Sequence, residues 1–271
     1  MDNDQLQHLT GWFNDYCRSY YTSDEADNRN IILKEEHTRQ VCANMDILTA
    51  ALGFTESRRN LARALALLHD LGRFEQYRRY RTFKDSASEN HAAIGAGVLA
   101  ENRLLAGLPI GDQQLVTRGV ALHNVFRMPS GLDPDTLLFL RLIRDADKLD
   151  IWRVFIEYYT AEESERASAV SLGLPDVPGI SPEVLAALDW GEMVNLALIT
   201  TLSDFKLLQL SWVYDINFAA ALRVIAERDY VGRIAALLSP DPAVAGCVDK
   251  VRTYLGNYLK RQGENPCASR D

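Results

Sequence analysis

The chain has 271 residues, 47% hydrophobic and 24% charged, a globular composition with apolar material for one large core or two smaller ones. Its 29 lysines and arginines face 37 acidic side chains, a formal charge of −8, which argues against bulk attraction to a nucleic-acid polymer or an anionic membrane and leaves phosphate recognition to local clusters. Cys17, Cys42, Cys247 and Cys267 lie far apart with no CxxC pair, so neither a zinc knuckle nor a disulfide framework is encoded.

A cytoplasmic location is expected. The opening MDNDQLQHLTGW is acidic and polar where a signal peptide needs positive charge and then an apolar run, and no stretch approaches the roughly 18 apolar residues of a membrane span. Strand-like alternation is absent and apolar residues recur at three- and four-residue spacing, so the chain reads as all-α. In chain order the spacing predicts helices over 3–21, 28–52, 56–71, 86–105, 111–124, 134–165, 181–188, 191–213, 216–227, 230–238 and 241–262. Gly53 suits a position just past a helix C-terminus, Pro134 and Pro182 suit first turns, and Asp133 and Ser181 suit N-caps. The one long loop, 171-SLGLPDVPGISP-182, divides a front part from a back part, and a single all-α domain over 1–271 is expected.

Four of the five histidines interrupt apolar helix faces, whereas His8 falls in the polar N-terminus and reads as a surface residue. His37 lies on the stripe Leu33, Val41, Met45, Leu48, and His69 and Asp70 close the apolar run 64-ALALLHDLG-72. His91 shares a face with Ile94, Gly95, Val98 and Leu99, and His123 with Val116, Gly119 and Val120; the glycines one turn away permit close approach. A lone histidine on such a face is ordinarily a hydrogen-bonded core residue. Four imidazoles with buried carboxylates are different, because each unpartnered polar group costs kilocalories and a divalent cation would satisfy them together. The carboxylate candidates are Asp70 and one from 143-IRDADKLDIW-152. Successive helical residues turn by about 100°, so Asp145 and Asp147 point roughly 200° apart. Asp147 shares an apolar stripe with Leu140, Ile143, Ile151 and Val154, while Asp145 has Arg141 one turn earlier as an exposed ion-pair partner, so Asp147 is the expected ligand and Asp150 lies about 60° from it.

The ordered set His37, His69-Asp70 and Asp147, with the words 36-EHTRQV-41, 68-LHDLGRF-74 and 144-RDADKLD-150, resembles the HD-domain superfamily of all-α, metal-dependent phosphohydrolases. The resemblance implies an HD-type core over 27–160 and a C-terminal helical extension over 161–271 packed on it. His91 and His123, falling between the doublet and the closing Asp, resemble the binuclear branch: one metal would take His37, His69, Asp70 and Asp147, and a second Asp70 as a bridge with His91 and His123. In mononuclear relatives the residue matching His91 donates a proton to the substrate instead, and sequence order leaves both roles open. Nitrogen and oxygen ligands suit Mn, Fe, Co, Ni or Zn better than calcium, with Mg a further candidate, as one or two ions per chain. A bound cation brings the pKa of its water toward neutrality and makes hydroxide available for attack on a phosphate ester, with Asp70, His91 and His123 as catalytic candidates.

For a small phosphorylated substrate, the segment 73-RFEQYRRYRTFK-84 offers Arg73, Arg78 and Arg81, whose guanidinium forks match phosphate oxygens; otherwise it is a solvated loop with aromatic staples. Lys34 and Lys148 resemble phosphate-contacting positions of triphosphohydrolase relatives. In the back part, Trp212, Tyr214 and Phe218 are expected in the core, with base stacking as the alternative. The expected activity is hydrolysis of a nucleotide or another small phosphorylated metabolite. Its rivals are a mixed-valent di-iron oxygenase on the same ligands and a non-catalytic nucleotide-binding regulator.

Overall fold

The computed structural model describes residues 1–170 and 173–264, with only the backbone at 261–264. Cys267, the first two residues of the long loop and the side chains at the end of the last predicted helix lie outside the described residues. Every regular element among the described residues is helical, as the spacing predicts. The α-helices are α1 (Asn3–Arg18), α2 (Glu25–Ala51), α3 (Glu56–Leu68), α4 (Leu71–Tyr80), α5 (His91–Glu101), α6 (Ile110–Leu122), α7 (Pro134–Thr160), α8 (Pro182–Asp189), α9 (Leu202–Ser211), α10 (Ala219–Glu227), α11 (Tyr230–Ala235) and α12 (Pro242–Glu264). None is long and apolar enough to cross a membrane.

The chain forms two compact units, Met1–Asp150 with Ala161–Leu172, and Ile151–Thr160 with Gly173–Asp271. In the first, α3 packs on α1, α2 and α6, and α5 packs on α4 and α6. Val41, Met45 and Leu48 of α2 meet a core that includes Leu65 and Leu68 of α3, Val116 and Val120 of α6, and Leu140 and Ile143 of α7, all fully buried. Phe74 of α4 is fully buried under Phe13 and Tyr16 of α1 and Tyr20 just past its end, with ring centroids 5.7–6.1 Å away. In the second unit α12 packs on α8, α10 and α11, and the α7 residue Trp152 stacks on Tyr230 at 5.7 Å and donates to the Gln209 carbonyl at 3.1 Å.

The expected punctuation holds at several ends. Gly53 follows α2 with φ +65°, and Asp133 caps α7 by accepting from the Thr136 amide at 2.9 Å. Ser181 occupies the N-cap of α8 but turns its hydroxyl to Asp204 instead of to its own helix. The helix predicted over 86–105 starts only at His91 and the one over 134–165 stops at Thr160, and two segments differ more deeply from the sequence reading. Helix α4 was hidden by its basic run and Gly72, although Leu71, Phe74 and Tyr77 recur at helical spacing and are buried. The segment predicted as one helix over 191–213 is instead a 3-10 turn at Leu196–Leu198 followed by α9, because the capping box of Thr201 and Asp204 starts a new helix there.

Candidate metal centre

The site forms where α2, α7 and the ends of α3, α5 and α6 converge. His69 terminates α3 and His123 terminates α6, while His91 begins α5 and Asp70 begins α4. Chain ends can be brought this close only where side chains are missing between them. A Cβ on Gly72 would lie 1.9 Å from the His91 carbonyl oxygen, and one on Gly119 would lie 2.6 Å from Leu65. Gly72 therefore lets the start of α5 rest on the start of α4, and Gly119 lets α6 close on α3.

All four imidazoles are oriented from behind. The Nδ1 of His69 meets the Ala66 carbonyl at 2.7 Å and that of His123 meets the Val120 carbonyl at 2.8 Å. A carbonyl only accepts, so each Nδ1 carries the proton and each Nε2 presents its lone pair. The Nδ1 of His37 faces Asp150 at 2.7 Å and that of His91 faces Asp85 at 2.9 Å, carboxylates in the same role. Histidine ligands of metals are held in this way by a partner on the far nitrogen.

The Nε2 atoms converge on two carboxylates. Asp147 Oδ1 lies 3.1 Å from His37 Nε2 and 3.7 Å from His69 Nε2. Asp70 divides its oxygens, Oδ2 standing 3.6 Å from His37 Nε2 and 4.0 Å from His69 Nε2, and Oδ1 standing 3.4 Å from His91 Nε2 and 3.7 Å from His123 Nε2. Three triads have ligand atoms mutually within 4.8 Å: His37, His69, Asp70; His69, His123, Asp147; and Asp70, His91, His123. Among the described residues the buried Nε2 of His69 has no hydrogen-bond partner, and the Nε2 atoms of His91 and His123 stand 3.0 Å apart. Two lone pairs directed at one another repel unless a cation or proton lies between them. The donor set thus fits divalent metal, and the orphaned His69 nitrogen is what such an ion would satisfy.

Charge runs through the same groups. Burial alone would raise the Asp70 carboxyl, but Lys34 and the surrounding imidazoles hold it well below the usual carboxylate range. Burial and the Lys34 ammonium push His37 down, yet its hydrogen bonds to Asp147 and Asp150 prevail and hold it up at about 9. Burial and the Arg73 guanidinium push His91 down to about 3 against its bond to Asp85.

Residues 35–152 match the family model of the HD domain. The chain carries an HD domain. No curated protein and no solved structure matches the chain. The HD family consists largely of metal-dependent phosphohydrolases, and the His/Asp cluster lies within the matched residues.

Within the HD domain the expected substrate cations separate. Lys34 Nζ lies 2.8 Å from Asp70 Oδ2 and Arg73 Nε 3.5 Å from Asp70 Oδ1, one cation on each oxygen. Lys148 is buried on α7 next to Asp147. Arg78 and Arg81 are directed elsewhere, correcting the expectation that the whole basic segment serves the site. Arg78 pairs with Glu75 and lies 4.9 Å over the Tyr20 ring, while Arg81 pairs with Asp27 and lies 5.5 Å from the Tyr77 ring. The physical reasons are turn and rise: Arg73 follows Asp70 by one turn, Arg78 is rotated about 80° from Asp70 and lies two turns along, and Arg81 lies past the end of α4 in the left-handed conformation, about 16 Å further along the axis. A second correction concerns Asp145, expected on an exposed face. It is fully buried, because Phe139–Asp150 of α7 has almost no solvent face.

Solvent reaches the cluster on one side. The side chains of Asp147, Arg73 and Lys34 are 16%, 17% and 13% exposed, whereas those of the four histidines and Asp70 are at most 4% exposed. Three supporting residues escaped the sequence reading. Asp85, Gln76 and Asn124 are polar residues outside any apolar stripe, and only their contacts reveal them. In the second unit Trp212 lies 5.8 Å from Trp152, and Tyr214 lies 5.0 Å from Tyr254.

Proposed function

We infer that the chain hydrolyses a phosphate ester of a small molecule, a nucleotide or another phosphorylated metabolite, at a centre holding two divalent cations. The observation that carries this reading is the division of Asp70, one oxygen toward the His37 and His69 nitrogens and the other toward those of His91 and His123. His37, His69, Asp70 and Asp147 would hold one ion, and Asp70, His91 and His123 the other. Nitrogen and carboxylate donors suit Mn, Fe, Co, Ni or Zn, with Mg a further candidate. When bound, such ions supply Lewis acidity toward phosphoryl oxygens and bring the pKa of coordinated water toward neutrality.

The protein's own groups supply the rest. Lys34 and Arg73, on the partly exposed side of Asp70, bind the phosphoryl oxygens of the substrate, with Lys148 beside Asp147 as a third cation. Asp150 and Asp85, with the Ala66 and Val120 carbonyls, keep the imidazoles in place, so little reorganisation is needed at the reacting atoms. The anion grip is local, in keeping with a chain of charge −8 that selects a small phosphorylated substrate over a polymer. A reducing cytoplasm suits Cys17, Cys42 and Cys247, all buried free thiols.

A panel of nucleotides and phosphate monoesters tests this reading, assayed with Mn2+ without oxygen and with Fe2+ in air. Phosphate release with Mn2+ under anaerobic conditions is expected. Turnover only with iron and consumption of oxygen would replace the hydrolase by the oxygenase reading, and binding without turnover under every condition would replace it by the regulatory one.

A further inference from the structure

The connection between α4 and α5 carries no apolar pattern, yet it is built around one carboxylate. Helix α4 ends at Arg81 with φ +55°, residues Asp85–Ala87 form a 3-10 turn, and Asn90 caps α5 through the Ala92 and Ala93 amides. Asp85 opens that turn. Its side chain is one-third exposed, but its oxygens accept from three directions. Gln76 of α4 donates to Oδ1 at 2.8 Å, Asn124 just past α6 donates to Oδ2 at 3.2 Å, and Arg73 Nη1 reaches Oδ1 at 3.3 Å. From α5, His91 presents its Nδ1 to both oxygens at 2.9 Å. Gln76 is fully buried and is itself held by Arg73, Ser88 and the Glu89 carbonyl. The carboxylate is thus clamped before it meets the imidazole.

We propose that Asp85 is the positioning residue of His91, fixing the proton on Nδ1 and directing the Nε2 lone pair inward as a ligand of the second cation, not as a proton donor to substrate. The inference rests on the two-cation reading above. A carboxylate behind a histidine is compatible with either role, so the other face of the ring decides. There Nε2 lies 3.0 Å from His123 Nε2 and 3.4 Å from Asp70 Oδ1. The Nδ1 of His123 is committed to the Val120 carbonyl, which leaves its Nε2 as an acceptor. A proton on His91 Nε2 would be held between two ligand atoms inside the cluster, on a side chain only 3% exposed, and not be presented to a leaving group.

The test is a Mn2+ titration of the full chain by equilibrium dialysis and elemental analysis, comparing wild type with Asp85→Ala, Asp85→Asn and Ser88→Ala. Wild type is expected to hold two ions. Asp85→Ala should keep one and bind the second about 10–100-fold more weakly, the usual effect of losing the partner behind a metal-bound histidine. Asp85→Asn still offers an oxygen to Nδ1–H and should recover most of that loss. Ser88→Ala breaks the loop's bond to Gln76 without touching the Asp85–His91 pair, and should titrate like wild type. Two ions at wild-type affinity in Asp85→Ala would overturn the inference, as would an equal loss in Ser88→Ala, which would make Asp85 a mere loop staple. A wild type that saturates at fewer than two ions would refute the two-cation reading itself, whatever the variants do. If Asp85→Ala fails to fold, long-range 1H–15N spectra of wild type loaded with diamagnetic Zn2+ decide: a proton on His91 Nδ1 is expected, and one on Nε2 overturns the assignment.

Discussion

Replacing Gly72 by alanine should drive α4 and α5 apart and dismantle the candidate metal cluster without replacing any ligand. The new Cβ would stand 1.9 Å from the His91 carbonyl oxygen, 2.6 Å from the Gly95 amide nitrogen and 2.9 Å from the His91 carbonyl carbon, all backbone atoms that cannot rotate away. Ordinary contact begins at 3.4 Å, so the helices must separate by about 1.5 Å at this point. Overpacking of this kind costs about 3 kcal/mol, and the gain of about 1 kcal/mol in helix propensity from glycine to alanine does not offset it. The same movement widens the 3.4 Å gap between Asp70 Oδ1 and His91 Nε2, and a displacement of about 1 Å in a catalytic centre can cost on the order of 100-fold in rate. The assay is urea unfolding of metal-free protein together with metal content. Gly97→Ala is the control, since a Cβ there meets nothing within 4 Å and should be neutral or stabilising. Wild-type stability and wild-type metal content in Gly72→Ala would refute the argument that this close approach builds the site.

Three further outcomes follow from the same contacts. Neutralising Arg78 and Arg81 together should leave metal content and the KM for a phosphorylated substrate unchanged, whereas Lys34→Ala should raise that KM several-fold; a raised KM in the double variant would return the whole basic segment to the substrate. Asp204 is fully buried and accepts from Ser181, Thr200 and Thr201, so Asp204→Ala should destabilise the protein by about 3 kcal/mol in urea unfolding at neutral pH, and an unchanged midpoint would show that those donors find other partners. Burial opposes ionisation of Asp204, but its hydrogen bonds from Ser181 and Thr200 hold its carboxyl below 3.8; its contribution is therefore complete above that value and is lost as pH falls through the lowered one, and the Asn variant should lack this acid-side loss.

The positions of the candidate ligands were legible because helical periodicity makes an intruder visible. His37, His69, His91, His123 and Asp147 each break an apolar stripe, and the structure brings their ligand atoms together with Asp70. Gly95 and Gly119 were visible for the same reason, as gaps in those stripes. What periodicity could not disclose is what stands behind the imidazoles. Asp85 lies in a connection with no period, and its connection to His91 depends on Gln76 and Asn124 from two other places in the chain. Helix α4 was obscured because its charged residues are as many as its apolar ones and Gly72 reads as a turn. Asp145 was misjudged because a spacing argument assumes one exposed face, and this part of α7 has almost none. The start of α9 depends on a capping box anchored to Ser181 and Thr200, a tertiary feature inside an apparently continuous helical pattern.

The central claim is that one aspartate serves two imidazole pairs, each able to hold an ion. Metal analysis of wild type beside His123→Ala tests it most directly, because His123 Nε2 is the proposed ligand atom of the second site while its Nδ1 bond runs only to the Val120 carbonyl. Two ions per chain are expected in wild type and one in the variant. One ion in both would contradict it.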